Sequence, residues 1–273
     1  MFGITTWRRN RIKARPFPAA WLAVLDGVSV YQRVNEDDRA ELRGHILVFL
    51  AEKYIEGCAG LEVTDEIKVT IAANACVLLL HREADYYPNC KTVLVYPQEY
   101  IATGKRLGAM GIVTEQVERR AGESWHNAYA PASGGPVILS WRSVRRGAHC
   151  GNDGHNVVFH EFAHQLDGES GGMDGAPALE LRSHFLPWAR VLGAEYDSLV
   201  RGLAGGERPA LINPYGAQNP AEFFAVCTEL FFERPREMKA HHGDLYARFS
   251  DYFQQDPAQW AECEAGGARG APG

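Results

Sequence analysis

The order of apolar and polar residues predicts a chain built mostly from helices. Residues 35–38 supply a cap and first-turn acids for a long helix, whose apolar positions recur with helical spacing as far as Tyr54 and which stops at Gly57. Residues 67–80 predict a second helix that is apolar nearly all round and therefore lies in the core. Further helices are predicted at residues 21–25, 179–203 and 220–232.

Shorter β-branched or apolar runs predict strands between these helices. Residues 92–96 end at Pro97, residues 112–118 form a weaker strand, and residues 136–141 lead towards the next helix. The strand at 136–141 either lies at the edge of a cleft, where it would pair with an extended substrate, or is an ordinary strand of a sheet. The Gly-, Ser- and Pro-rich segment 121–135 predicts a long surface loop over a cleft.

No repeat or linker divides this pattern, so we predict a single α+β domain spanning residues 1–273. Its two ends differ from the rest of the chain. Residues 264–273 form a Gly/Ala/Pro tail that we expect to fray, and about residues 1–15 form a basic N-terminal arm without an acidic residue. The arm is either solvated or contacts a phosphate or an acidic partner.

Composition and charge exclude several classes of protein. A chain that is 46% hydrophobic and 11% aromatic is neither disordered nor fibrous, and a net charge of −6 argues against a general nucleic-acid binder. The six cysteines include no C-x-x-C pair, so nothing indicates a disulfide framework. The sequence has no apolar signal core and no run of about 18 apolar residues. We therefore expect a soluble, cytoplasmic protein that contacts neither a membrane nor nucleic acid directly.

The segment 157–166 carries the strongest chemical signal in the chain. It reads Val-Val-Phe-His-Glu-Phe-Ala-His-Gln-Leu, a His-Glu-x-x-His motif within an apolar run. His160 and His164 are four residues apart, so a helix presents both imidazoles to one point, and Glu161 lies beside that point, where it can take a proton from a metal-activated water. The motif indicates a zinc hydrolase. The alternative is a buried helix whose histidines are satisfied without a metal.

A catalytic zinc needs a third protein ligand and an open position. The residues after His164 lack the elongated three-histidine pattern, so we look for a carboxylate on a second helix. Glu222 and Glu229 are seven residues apart on one face of the helix at 220–232, which makes both of them candidates. Glu222 also occupies the third helical position after Asn219, where a capping-box glutamate would bond back to the cap instead.

These segments together resemble a known family of zinc metallopeptidases, the Mlc titration factor A family. The resemblance rests on specific stretches that extend over nearly the whole chain. They are Ala-Arg-Pro-Phe-Pro at 14–18, Phe-Leu-Ala-Glu-Lys at 49–53, Glu-Gly-Cys at 56–58, Val-Thr-Ile-Ala-Ala at 69–73, Asp-Tyr-Tyr-Pro at 85–88, Leu-Val-Tyr-Pro at 94–97, His-Glu-Phe-Ala-His-Gln-Leu-Asp at 160–167 and Tyr-Gly-Ala-Gln-Asn-Pro-Ala-Glu-Phe-Phe-Ala at 215–225.

The resemblance implies a zincin-like, gluzincin-type fold, distantly similar to the catalytic domain of anthrax lethal factor, in a cytoplasmic aminopeptidase that cleaves peptides. It implies that His160, His164 and Glu222 bind zinc, with the His-Glu-x-x-His helix as active-site helix and a second helix supplying the glutamate. Glu161 would be the general base, and Tyr215 would stabilise the oxyanion. Proteins of the family also bind the repressor Mlc, which makes an Mlc-like regulator of sugar-uptake genes a possible partner. Residues 104–135 and the tail resemble the family less, and differences there would alter substrate access.

Several assignments stay open at this point. Asp167 and Glu229 are candidates for orienting the histidines, while Asp167 could equally cap the end of the helix or face solvent. His155 is expected to be structural or exposed. The alternative to an enzyme is a non-catalytic protein that sequesters a transcription factor and uses zinc only structurally; a zinc hydrolase of non-peptide amides is a further alternative.

Overall fold

A computed structural model describes residues 2–83, 85–98, 100–107, 113–120, 122–124, 135–179 and 181–261. The helices of the first half are α1 (Phe2–Lys13), α2 (Ala19–Leu25), α3 (Ser29–Arg33), α4 (Glu36–Glu52) and α5 (Asp65–Val77). The helices of the second half are α6 (Trp141–Cys150), α7 (Val157–Gly168), α8 (Arg182–Ala204), α9 (Pro220–Glu233), α10 (Pro235–His241) and α11 (Gly243–Phe253). The strands are β1 (Tyr54–Gly57), β2 (Thr92–Tyr96), β3 (Tyr100–Leu107), β4 (Val113–Arg120), β5 (Gly122–Ser124) and β6 (Val137–Ser140).

The predicted helices exist, and local capping explains where several begin. Asn35 caps α4 by accepting from the backbone N–H of Asp38, and Thr64 caps α5 in the same way. The predicted end of the first long helix is wrong, because α4 stops at Glu52. The chain from Tyr54 to Gly57 forms β1 instead, since pairing with β2 satisfies its backbone groups.

The main sheet has the strand order β1-β2-β6-β5. β1, β2 and β6 are parallel, while β5 runs antiparallel to β6 and pairs Ser124 with Val137. β6 therefore has a neighbour on both sides, so the prediction that residues 136–141 form a free edge is wrong and the ordinary strand is confirmed. α5 connects the parallel strands β1 and β2, so helices and strands alternate here rather than being fully segregated.

A second, antiparallel pair joins β3 to β4. β4 confirms the weaker strand predicted near residues 112–118, and the sequence patterns did not predict β3. Most of the predicted loop at 121–135 and all of the tail at 264–273 lie outside the described residues. At the level of a helix-rich mixed fold with a small, mainly parallel sheet, the architecture is consistent with the zincin-like fold that the resemblance implies.

The basic N-terminal arm forms a helix, and most of its residues, including Arg8 and Arg11, are exposed. A contact between the arm and a phosphate or an acidic partner stays a prediction. α1 packs against α4, and Ile12 is buried in the core. Arg9 forms ion pairs with Glu52 at 2.9 Å and with Asp85 at 2.8 Å. Sequence patterning missed the helix because its charged residues mask the few that pack. Among the described helices, none is both long and apolar enough to cross a membrane.

The hydrophobic core surrounds α5 and α7 and positions the motif helix. Phe162 of α7 is fully buried, with ring centroids 4.6 Å from Tyr87 and 5.7 Å from Phe49. Phe159, on the same helix, packs on Phe232 of α9 at 5.3 Å. These contacts fix α7 on its apolar side and leave the two histidines facing α9. The organisation as a single domain over residues 1–273 stays a prediction.

Candidate metal centre

The two histidines of the motif lie on one face of α7. Asn156 caps this helix, because its side-chain oxygen accepts from the backbone N–H groups of Val158 and Phe159. The helix continues without a break from Val157 to Gly168 and brings the rings of His160 and His164 to a centroid distance of 4.9 Å. His164 is buried, whereas His160 is partly accessible.

Glu222 approaches both histidines from the first turn of α9. Asn219 caps this helix by accepting from the backbone N–H of Glu222, and Pro220 occupies the first helical position. The Glu222 Oε2 atom lies 3.0 Å from His160 Nε2 and 3.4 Å from His164 Nε2. The backbone of Glu222 therefore completes the cap, while its carboxylate faces the histidines and not the helix end.

Glu229 contacts the opposite side of the His160 ring. Its Oε1 atom lies 2.7 Å from His160 Nδ1, and its Oε2 atom accepts from the backbone N–H of Asn156 at 2.7 Å. Because a carboxylate only accepts, this contact assigns a proton to His160 Nδ1 and leaves Nε2 directed at Glu222. Of the two candidate ligands, Glu222 lies with the pair of histidines and Glu229 orients one of them.

The donor set fits a catalytic metal. His160, His164 and Glu222 each offer a ligand atom, and these atoms lie within 4.8 Å of one another. Because the Nδ1 proton of His160 faces Glu229, the Nε2 atom faces the Glu222 carboxylate, and the cation between these two atoms is either a proton on Nε2 or a metal ion. Two imidazole nitrogens with one carboxylate oxygen form a zinc ligand set that leaves a further position open.

The electrostatics of the site favour a positive charge at the same place. Burial alone would lower the pKa of His160, but hydrogen bonds to Glu222 and Glu229 outweigh it and raise this pKa well above its usual value. Burial likewise works to raise the pKa of Glu222, and the hydrogen bonds from the two histidines overcome it and lower this pKa to about 2. The site thus holds an ionised carboxylate against a cation.

The two residues predicted to act beside the metal, Glu161 and Tyr215, lie next to His160. Glu161 is 4% exposed, and its charge acts on His160. Tyr215 belongs to a 3-10 turn, Pro214–Ala217, that Asn213 caps. Its ring centroid is 5.9 Å from that of His160, and the residue is 44% exposed. Of the predicted site residues, His160, His164 and Glu222 lie together, and the Tyr215 ring lies beside His160, while the roles of these residues stay predictions.

Asp167 is fully buried, so the alternative that it faces solvent is wrong, and the hydrogen bond described for its side chain is with the loop after α7 and not with a histidine. The Asp167 Oδ2 atom accepts from the backbone N–H of Gly175 at 3.0 Å. This contact holds the loop that follows α7. Among the described residues, His164 Nδ1 has no hydrogen-bond partner. His155 is exposed, as expected.

Three polar residues around Glu229 were missed by the sequence analysis. Asn156 donates from Nδ2 to Asn74 Oδ1 at 2.9 Å and to Glu233 Oε1 at 3.2 Å, and all three residues are buried. Two signals were present in the sequence. Asn156 directly precedes the first apolar residue of a helix, and Asn74 interrupts an otherwise apolar helix.

Comparisons with known proteins agree with this geometry. The sequence profile described as glucose-regulated metallo-peptidase M90 matches residues 4–254. An uncharacterized protein of Synechocystis sp. is 39% identical over 252 residues, which cover 92% of this chain and 89% of the relative. Mlc titration factor A of Klebsiella pneumoniae is 32% identical, covering 85% of this chain and 84% of the relative. The protein of that name from Escherichia coli is 28% identical, covering 83% and 82%.

Proposed function

This chain belongs to the family of glucose-regulated metallo-peptidases M90, and on that premise we propose that it is a zinc-dependent peptidase of the aminopeptidase type. Membership in the family implies a metal, usually zinc. The observation that carries the proposal is the convergence of His160 Nε2, His164 Nε2 and Glu222 Oε2. We assign these three residues as the zinc ligands, with α7 as the active-site helix and α9 as the helix that supplies the glutamate of a zincin-like fold.

The protein side chains have distinct roles in the proposed reaction. When bound, zinc supplies a Lewis acid that polarises the scissile carbonyl and lowers the pKa of water towards about 7. Glu161 accepts a proton from the attacking water and later delivers it to the leaving amine. The Tyr215 hydroxyl donates a hydrogen bond to the developing oxyanion, and the exposure of this residue beside His160 supports that role. Glu229 holds the proton of His160 on Nδ1.

The test measures metal content and hydrolysis on the same samples. Elemental analysis and a panel of amino-acid arylamides are applied to the wild type, Glu222→Ala, Glu229→Ala and Glu66→Ala. Glu66 is an exposed glutamate in the first turn of α5, so its variant controls for the loss of a first-turn acid. We expect one zinc per chain and arylamide turnover in the wild type and Glu66→Ala, loss of both in Glu222→Ala, and zinc with reduced affinity in Glu229→Ala. Wild-type protein without zinc, or with zinc and no turnover on any amide, would contradict the proposal.

A second role is supported by the names of the relatives. Mlc titration factor A is, by its name, a protein that titrates Mlc. We propose that this chain also binds a repressor of the Mlc type, which implies a cytoplasmic location. Glu161→Gln separates the two roles because it changes one buried side chain at the metal site. It should abolish hydrolysis and leave repressor binding, measured by calorimetry, at the wild-type affinity. A Glu161→Gln variant that still hydrolyses arylamides would refute the role of Glu161 as base.

A further inference from the structure

A buried polar network lies behind the metal centre and connects three helices. Asn156 is its centre, because one residue contacts α5 through Asn74, α9 through Glu229 and Glu233, and the first turn of α7 through its own cap. Asn156 makes five hydrogen bonds in this way: one from its backbone N–H, one from each of the two Nδ2 hydrogens, and two accepted by Oδ1. Such a residue fixes the position of the start of α7 and the orientation of the side chains that it contacts on the neighbouring helices.

The contact to Glu229 gives this network a connection to the metal site. The backbone N–H of Asn156 donates to Glu229 Oε2, and Glu229 Oε1 accepts from His160 Nδ1. Glu229 therefore keeps its orientation towards His160 only while the backbone at Asn156 stays in place. The side-chain amide of Asn156 holds that backbone by donating to Asn74 and Glu233.

We infer that Asn156 is a positioning residue, which acts through Glu229 to hold the His160 ring with Nε2 facing Glu222. The inference rests on the proposed function in so far as His160 is a zinc ligand. The positioning role of Asn156 goes beyond the proposed function, because helix capping alone would not need the amide group of this residue. The oxygen makes the cap, whereas the NH2 group makes both contacts to the neighbouring helices.

Substitutions can separate the cap from the amide. Asn156→Asp keeps a capping oxygen and removes the NH2 donor, and it places a carboxylate against Glu233. Combining it with Glu233→Gln restores a donor and acceptor pair with the roles exchanged. Asn35→Ser is the matched control, because Asn35 caps α4 in the same way and lies on an exposed part of the surface. Asn156→Ser keeps a short capping hydroxyl and loses the amide. Its effects are compared with those of Asn35→Ser.

Three measurements are made on each variant. The first is the zinc dissociation constant of the metal-free protein, by competition with a chelator. The second is the NMR resonance of His160 Nδ1–H in metal-free protein with 15N-labelled histidine. It is assigned by its loss in His160→Gln. The third is urea unfolding, which reports a purely structural effect.

We expect Asn156→Asp and Asn156→Ser to weaken zinc binding by about 10-fold or more and to broaden or shift the His160 signal. Asn35→Ser should change stability alone. The double variant Asn156→Asp/Glu233→Gln should recover part of the zinc affinity. If the single variants do not fold, the zinc affinity and the His160 signal of this double variant test the inference. Wild-type zinc affinity and an unchanged His160 signal in a folded Asn156→Asp variant would overturn the inference, as would equal effects from Asn35→Ser. If the wild type binds no zinc, the proposed function fails, and the His160 signal alone still tests the positioning role.

Discussion

Replacement of Glu233 by Gln should change how the stability of the protein depends on pH. Glu233 is 5% exposed, and burial raises its pKa from 4.5 to about 8. The folded protein therefore retains a proton that the unfolded chain releases above pH 4.5, so folding becomes less favourable as pH rises from there towards 8. Gln cannot ionise, so the stability of the Glu233→Gln variant should not fall with rising pH for this reason.

The pKa shift sets the size of the effect. At about 1.4 kcal/mol for each unit, an acid that moves from 4.5 to about 8 makes the wild type lose about 4 kcal/mol of stability between pH 5 and pH 9. Gln retains an oxygen for the hydrogen bond from Asn156. Its NH2 group occupies the position of Glu233 Oε2, which has no hydrogen-bond partner among the described residues, and an unsatisfied donor there costs about 1–3 kcal/mol at every pH.

Urea unfolding at pH 5, 7 and 9 in the presence of a chelator measures this difference without a contribution from bound metal. Burial also raises the pKa of Asp167 to about 6 and of Glu169 to about 7, but these groups are common to both proteins and cancel in the comparison. Glu66→Gln, at an exposed position, should follow the wild type. Equal pH slopes for the wild type and Glu233→Gln would refute the reasoning, because a proton held by Glu233 must appear as a difference between them.

Three further predictions concern the fold around the site. Gly175→Ala should destabilise the protein by about 2 kcal/mol or more in urea unfolding, because Gly175 has φ +78° and an added Cβ would lie 2.5 Å from the carbonyl oxygen of Pro220; a neutral result would contradict that contact. Phe162→Ala should cost about 3–5 kcal/mol, measured by the same method, since the ring is fully buried, and a loss below 1 kcal/mol would mean that the core closes over the space. Arg9→Ala should cost only about 1 kcal/mol, and less in high salt, because its ion pair with Glu52 is partly solvated; a loss above 3 kcal/mol would assign α1 a larger part in folding.

Local sequence signals predicted α2, α4, α5, α7, α8 and α9, and they missed α1, α3, α6, α10 and α11. The cap Asn35 and the start of α9 at Pro220 lie where the sequence predicted them, because capping depends on residues within one turn. The same logic failed after Glu52. Tyr54 continues the helical spacing of α4, but it pairs with Thr92 in a parallel sheet, and that contact comes from a distant part of the chain.

The surroundings of the motif show the same division between local and long-range causes. The spacing of His160 and His164 within one turn requires a common face once the segment is helical, so the sequence alone brought them together. Spacing left both Glu222 and Glu229 as candidates, with Glu222 favoured, and the resemblance to the family implied Glu222 as the ligand. Only the packing of α9 on α7 directs the Glu222 carboxylate to both Nε2 atoms and the Glu229 carboxylate to Nδ1 of His160.

The sequence by itself therefore determined the helices with clear apolar periodicity, the metal-binding motif and the resemblance to a peptidase family. Tertiary structure decided which carboxylate faces which ring nitrogen, that Asp167 holds a loop, and that Asn156 connects three helices behind the site. The physical reason is one of range. Helix periodicity and caps act over about four residues, whereas a hydrogen bond between residues 73 positions apart, such as that from the Asn156 backbone N–H to the Glu229 carboxylate, exists only after the helices have packed.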